Sequence, residues 1–190
     1  MTLGLHRRAG NRDRSRTETM ERIWAPWRID YILGKEKEPG CIFCTKPLEN
    51  NDVENLMVHR ADRAFTMMNK YPYNNGHLLV VPFRHVGDIC ELDPEENSLL
   101  VQEVCRALHV LRAVMKPEGF NIGINLGRVA GAGIEEHVHY HIVPRWNGDT
   151  NIMPVLADIK VIPEHLSLTC RKLQDAFMEL FPPPAGKESP

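Results

Sequence analysis

The chain has no apolar run approaching the ~20 residues a membrane-spanning helix requires, so no segment reads as transmembrane. Its first residues offer no apolar h-region, and no secretion signal is expected. Charge of one sign is not in excess either. The 23 Lys and Arg against 25 Asp and Glu give a formal net charge of -2, which does not suit a nucleic-acid coat. Cysteine is scarce and odd in number, at five, so a secreted disulfide framework is not expected. A reducing cytoplasm is the expected compartment. What remains is an ordinary soluble composition: 190 residues at 43% hydrophobic make one domain with a proper core.

The densest chemistry lies in Glu136-His137-Val138-His139-Tyr140-His141-Ile142-Val143-Pro144-Arg145-Trp146. Histidine alternates here with aliphatic and aromatic residues, a period of two that predicts an extended strand. On a strand His137, His139 and His141 share one face and Val138, Tyr140 and Ile142 the other. Satisfied core histidines explain one such residue better than three in strict alternation. Three imidazoles on one face point to chemistry or to metal, and they could ligate one zinc with water in the fourth position.

Residues 1–19 are polar and arginine-rich without periodicity, and read as a disordered leader or, alternatively, as a basic binding arm. Met20 precedes a change in character and is an alternative start. Trp24, Trp27 and Tyr31 form an aromatic patch, for packing or for ligand stacking. Cys41-Ile42-Phe43-Cys44 is a C-x-x-C that can aim two thiolates at one tetrahedral metal, though two ligands alone cannot close a zinc site. His85, just beyond a strand that ends at Pro82, is a candidate third ligand.

Between them the pattern predicts an antiparallel meander: a strand at 56–59, a second at 64–69, a turn-rich 71–76 and a buried strand at 77–82. Asp93-Pro94-Glu95-Glu96 is a helix start, with apolar residues at helical spacing to Met115. Phe120 to Gly127 alternates again and delivers Asn125 to a strand end, with glycine where bulk would crowd a neighbour. Residues 128–133 are a small-residue loop whose N–H groups can approach phosphate oxygens. Residues 163–180 carry a second helical pattern. Cys90, Cys105 and Cys170 read as small buried side chains. The domain spans 20–181, with a flexible tail at 182–190.

His137 to Val143 resembles the signature of the histidine triad (HIT) superfamily, preceded by its glycine-rich loop. Asn69, Gly76-His77, Asn125 and Pro144-Arg145 match in order, and the resemblance covers roughly residues 22–181. The opening from Trp24 to Tyr31 and the strand at 121–125 are similar to the bacterial branch that includes diadenosine tetraphosphate phosphorylases and ATP adenylyltransferase-like proteins. The resemblance implies an α+β fold, an antiparallel sheet of about five strands with two main helices, in a homodimer.

It also implies roles. His139 would attack the α-phosphorus of an adenine mono- or dinucleotide and carry a covalent nucleotidyl group, oriented by a backbone carbonyl near His137. His141 would bind a phosphate oxygen and help the leaving group. Asn125, Gly133 and Ile134 would neutralise the α-phosphate, Asn69 would contact the nucleotide, and His77 would support the site. Cys41, Cys44, His85 and His137 would hold a structural zinc that does not touch substrate. Hydrolytic branches carry a glutamine or Ser/Thr pair where this chain has Gly133-Ile134. That difference leaves water or inorganic phosphate as the resolving acceptor, with a diadenosine polyphosphate phosphorylase or related nucleotidyltransferase favoured and a hydrolase of dinucleoside polyphosphates or nucleoside phosphoramidates as the alternative. A non-catalytic nucleotide-binding protein is a third reading.

Overall fold

A computed structural model describes residues 40–49, 51–149 and 162–182. The leader, the aromatic patch at 24–31 and the tail beyond Pro182 lie outside the described residues. Five strands form one antiparallel sheet: β1 (Met57–Arg60), β2 (Ala64–Met68), β3 (Leu78–Pro82), β4 (Gly119–Ile124) and β5 (Tyr140–Arg145), in the order β1-β2-β3-β5-β4. Among the described residues three α-helices accompany it: the single turn α1 (Ile42–Thr45), the long α2 (Pro94–Met115) and α3 (Leu166–Leu180). The α+β architecture implied by the resemblance is the one observed. Among the described residues no helix is long and apolar enough to cross a membrane.

The period of two splits the sheet's side chains between two apolar layers. Val58, Ala64, Met68, Leu78, Val80 and Ile142 pack against α2 and α3 through Leu100, Val104, Ala107, Leu111, Leu173 and Phe177. Met57, Phe65, Met67, Leu79 and Val81 face the other way and are covered by Phe43 of α1. The second layer is thin, and a helix of four residues covers it.

Both strands flanking the 71–76 turn are fully buried, and the turn is fixed by Gly76. At φ +72° Gly76 sits in the left-handed region, and a Cβ there would collide with the Met115 sulfur. Gly123 is different: a Cβ there meets nothing within 4 Å, so the crowding expected at this glycine is absent.

The helix start at Asp93 is a full capping box. Asp93 Oδ1 accepts from Glu96 N at 2.8 Å, and Glu96 Oε2 accepts from Asp93 N at 3.1 Å. Arg84 closes the arrangement with a fork onto the same carboxylate, at 2.9 Å (Nε to Oε1) and 2.7 Å (Nη2 to Oε2). The residue beside His85 is thereby tied to the start of α2.

Two cysteines depart from expectation. Cys105 is exposed, because one residue past Val104 is a turn of about 100° away from the core-facing stripe. Cys90 is exposed in a 3-10 turn capped by Asp88, and only Cys170 is buried. The pattern also gave no sign of Glu103, fully buried on α2, whose Oε1 accepts from Thr66 Oγ1 and His59 Nδ1, each at 2.7 Å.

The Arg84 guanidinium and the Asp93 N–H hold the Glu96 carboxyl down at about 2, against an ordinary 4.5. Its contribution to stability is therefore present above about pH 4.5 and is lost as the pH falls towards 2. In denaturant titrations Glu96→Gln is less stable than wild type at neutral pH, and the difference closes across that acid window. Asp93→Ala costs about 1 kcal/mol at pH 7.

Candidate functional site

The C-x-x-C at the start of α1 lies against the loop after β3 and the segment before β5. The donor atoms of Cys41, Cys44, His85 and His137 all fall within 4.8 Å of one another. His137 Nδ1 is 3.3 Å from Cys41 Sγ, 3.6 Å from Cys44 Sγ and 3.3 Å from His85 Nδ1. Cys44 Sγ is 3.3 Å from His85 Nδ1. A tetrahedral ion bound at ~2.3 Å to sulfur and ~2.05 Å to nitrogen would set N···N near ~3.3 Å and N···S near ~3.6 Å, so the spacing fits one.

The tautomer fits as well. His137 Nε2–H donates to Pro82 O at 2.9 Å, which leaves Nδ1 as the lone-pair nitrogen facing the thiols. Burial lowers the basicity of His137 and pushes the Cys41 thiol up. A neutral imidazole is ready to ligate, and a bound cation would take the place of the thiol proton.

His137 also serves His139 through its backbone. His139 Nδ1 lies 2.9 Å from His137 O. A carbonyl only accepts, so Nδ1 carries the proton and Nε2 is the unprotonated nitrogen. Burial holds His139 below its ordinary value, which the hydrogen bond to His137 only partly offsets, so the ring is neutral near pH 7. The Phe43 ring packs on it at 4.8 Å.

A second chain of bonds sets His141. The Tyr73 N–H donates to His77 Nδ1 at 3.0 Å, so the fully buried His77 is protonated on Nε2. That Nε2–H donates to His141 Nδ1 at 3.0 Å, which places the His141 proton on its own Nε2. His139 and His141 then stand edge-on at 4.8 Å, one a lone-pair donor and the other a proton donor.

The expected triad strand begins late. Regular pairing starts at Tyr140, and His137 and His139 precede it. The reason is that Val138 N bonds to Val86 O at 2.7 Å and the His137 ring takes the Pro82 carbonyl, so the backbone there is engaged by the loop after β3 and not by a ladder. At its other end β5 continues through Pro144, which pairs with Phe120 of β4 where β3 no longer runs alongside.

His139 and His141 line a cleft of about 690 Å³ together with Asn69, Gly133 and Ile134. Ile42, Phe43, Leu56, Met67 and Leu79 give it an apolar wall. Two expected site residues do not line it. His77 lies behind His141, and Asn125 donates from Nδ2 to Gly131 O at 3.3 Å, bracing the glycine loop. Asn69 accepts from Tyr71 N at 2.9 Å and tightens the turn that supplies Tyr73. Phe43 and Tyr73 were not singled out from the pattern. Their positions between two cysteines and before the Gly-His pair were the available signals. Among the described residues the metal-type cluster takes in His137 and neither His139 nor His141, which is against a three-histidine metal centre.

A five-stranded α+β domain thus carries a cleft that pairs a lone-pair imidazole with an N–H-donating one, beside a Cys2His2 cluster. The chain belongs to the HIT domain family, whose model matches residues 50–148. It is 37% identical over 175 residues to a Mycobacterium tuberculosis protein named AP-4-A phosphorylase, covering 88% of this chain and 87% of the relative. Among solved structures it is similar to a hypothetical histidine triad nucleotide-binding protein from Sulfolobus tokodaii strain7 (TM-score 0.60, 26% identity, 74% of this chain and 93% of the other). It is also similar to a Zn-bound histidine triad family protein from Mycobacterium smegmatis (TM-score 0.59, 26% identity, 74% and 95% covered).

The hydrogen-bond directions make a prediction about the ring nitrogens. Long-range ¹H–¹⁵N spectra near pH 7.5 show His139 as the Nδ1–H tautomer and His141 as the Nε2–H tautomer. In His77→Phe the His141 preference is lost and that of His139 is kept.

Proposed function

We propose that this protein transfers a nucleotidyl group from diadenosine polyphosphates, diadenosine tetraphosphate foremost, to inorganic phosphate through a nucleotidyl-histidine. The observation that carries this reading is the buried His139 ring, held by its Nδ1–H on His137 O with its lone pair on Nε2 in a nucleotide-sized cleft. The similarity to a protein named AP-4-A phosphorylase supports the substrate class.

His139 Nε2 attacks the α-phosphorus, the bond to the bridging oxygen breaks, and ATP departs as its anion with the His141 Nε2–H hydrogen-bonded to the departing oxygen. An anionic oxygen of inorganic phosphate, oriented by the His141 Nε2–H, then attacks the same phosphorus. The P–N bond breaks, ADP leaves, and His139 is restored. As positive charge develops on the attacked imidazole, the carbonyl of His137 stabilises it at Nδ1. The N–H groups around Gly133 and Ile134 and the loop braced by Asn125 face the phosphate end, and Asn69 contacts the nucleotide. Gly133 and Ile134 bring no side-chain donor to the acceptor, so the incoming oxygen relies on His141.

Cys41, Cys44, His85 and His137 hold zinc in this reading, a closed four-ligand site that fastens α1 to the segment carrying His139. The reducing cytoplasm keeps both thiols available. The working unit is a homodimer formed across β4, which among the described residues is paired on one side only and presents Ile122 at 46% exposure.

Incubation with diadenosine tetraphosphate separates the outcomes. ADP and ATP forming only with phosphate is the expected result. AMP and ATP without phosphate would make the enzyme a hydrolase, and no turnover would make it a binding protein. His139→Ala abolishes turnover, a loss of at least about 10³-fold for a covalent nucleophile, while keeping the fold and its metal. Cys41→Ser lowers zinc content and the unfolding temperature instead.

A further inference from the structure

The two cysteines of the C-x-x-C bracket a phenylalanine, and that ring does not point at the metal cluster alone. Phe43 is 2% exposed in a helix of one turn. It meets the His137 ring edge-on at 5.5 Å, the His139 ring at 4.8 Å and Phe65 at 6.5 Å. A helix of four residues has little intrinsic stability. What holds α1 in place is its thiols on one side and its burial in the thin apolar layer on the other.

His139 is thereby held twice, by a member of the Cys2His2 set and by the residue between its two cysteines. The His137 carbonyl fixes the position of Nδ1, and the Phe43 ring fixes the plane about that bond. One hydrogen bond leaves the imidazole free to rock about it; a buried ring packed on it at a tilt of 54° restricts that freedom.

We propose that Phe43 is a positioning residue that couples occupancy of the Cys2His2 site to the orientation of His139. The inference rests on His139 being the nucleophile for its effect on rate, but the placement of the ring can be read without turnover. With metal bound, α1 is pinned and Phe43 presses His139 into the plane that aims Nε2 at the cleft. Without metal, α1 loosens, and His139 keeps its carbonyl partner but loses its aim. The cluster then governs catalysis while lying outside the path of substrate.

The test compares wild type, Phe43→Ala and Phe43→Leu, the last keeping most of the volume so that a folded variant is secured. Four quantities are read: zinc per chain, AMP affinity, the rate of nucleotidyl-histidine formation from diadenosine tetraphosphate, and the ¹H–¹⁵N signals of His139. Phe43→Ala is expected to retain zinc and, at saturating diadenosine tetraphosphate, to form the adduct at least about tenfold more slowly, beyond any loss of AMP affinity from the ring's place in the cleft wall. Its His139 signals are expected to broaden or split, and Phe43→Leu to fall between. Stripping zinc from wild type with a chelator reproduces the altered His139 signals, and returning zinc restores them.

The proposal is overturned if the leucine variant keeps wild-type His139 signals and adduct rate, if the loss lies wholly in AMP affinity, or if zinc removal leaves His139 unchanged. Wild-type protein that forms no adduct at all would sink the nucleophile assignment. The spectra would still decide whether Phe43 and the metal site set the ring.

Discussion

One residue, His137, is used at three atoms. Its Nε2–H is given to the Pro82 carbonyl, its Nδ1 faces two thiols and a second imidazole, and its own carbonyl receives the proton of His139. Each use constrains the others: the bond to Pro82 selects the tautomer, the tautomer aims the lone pair at the thiols, and a ring so fixed fixes the carbonyl beneath it. A side chain with one ring nitrogen could not do this, which is the physical reason for histidine here.

The fold makes this convergence possible by ending strands at the right places. β3 stops at a proline, which cannot donate to a further ladder but has a carbonyl to offer. The chain before β5 is drawn onto the loop after β3 by Val138, so His137 and His139 emerge from irregular backbone while His141 sits in register between Leu79 and Gly123. The triad thus spans a transition from loop to sheet. Its first member turns to the cysteines and its last to the buried His77. A uniform strand would have presented three equivalent rings.

The two faces of the sheet divide the labour. The α2–α3 side has the larger core, where Glu103, Thr66 and His59 satisfy one another and where stability resides. The opposite layer is shallow and capped by a single helical turn, so a cleft can open there against an apolar wall. The Cys2His2 cluster adjoins that turn, with Cys41 and Cys44 on either side of Phe43.

Much of this was legible in the residues. Period-two runs placed the strands, Asp93-Pro94 placed the start of α2 to the residue, and the H-V-H-Y-H spacing identified the family. Those signals are local, and local geometry is what sequence pattern encodes. Less legible were matters of direction and depth. Cys90 and Cys105 read as buried, yet a turn of helix or a capped loop carries them out to solvent. Gly123 read as sterically required, yet faces open space. Asn125 read as a phosphate contact, yet its amide braces the glycine loop. By itself the sequence determined which side chains carry chemistry and in what order. Likeness to the HIT pattern implied that His137 joins the cysteines and His139 the substrate; only the tertiary structure decided how closely those donors converge, that His77 sets the tautomer of His141, and that Phe43 lies between the cluster and the cleft. Those assignments depend on contacts among segments about 40 to 100 residues apart, which no local period can specify.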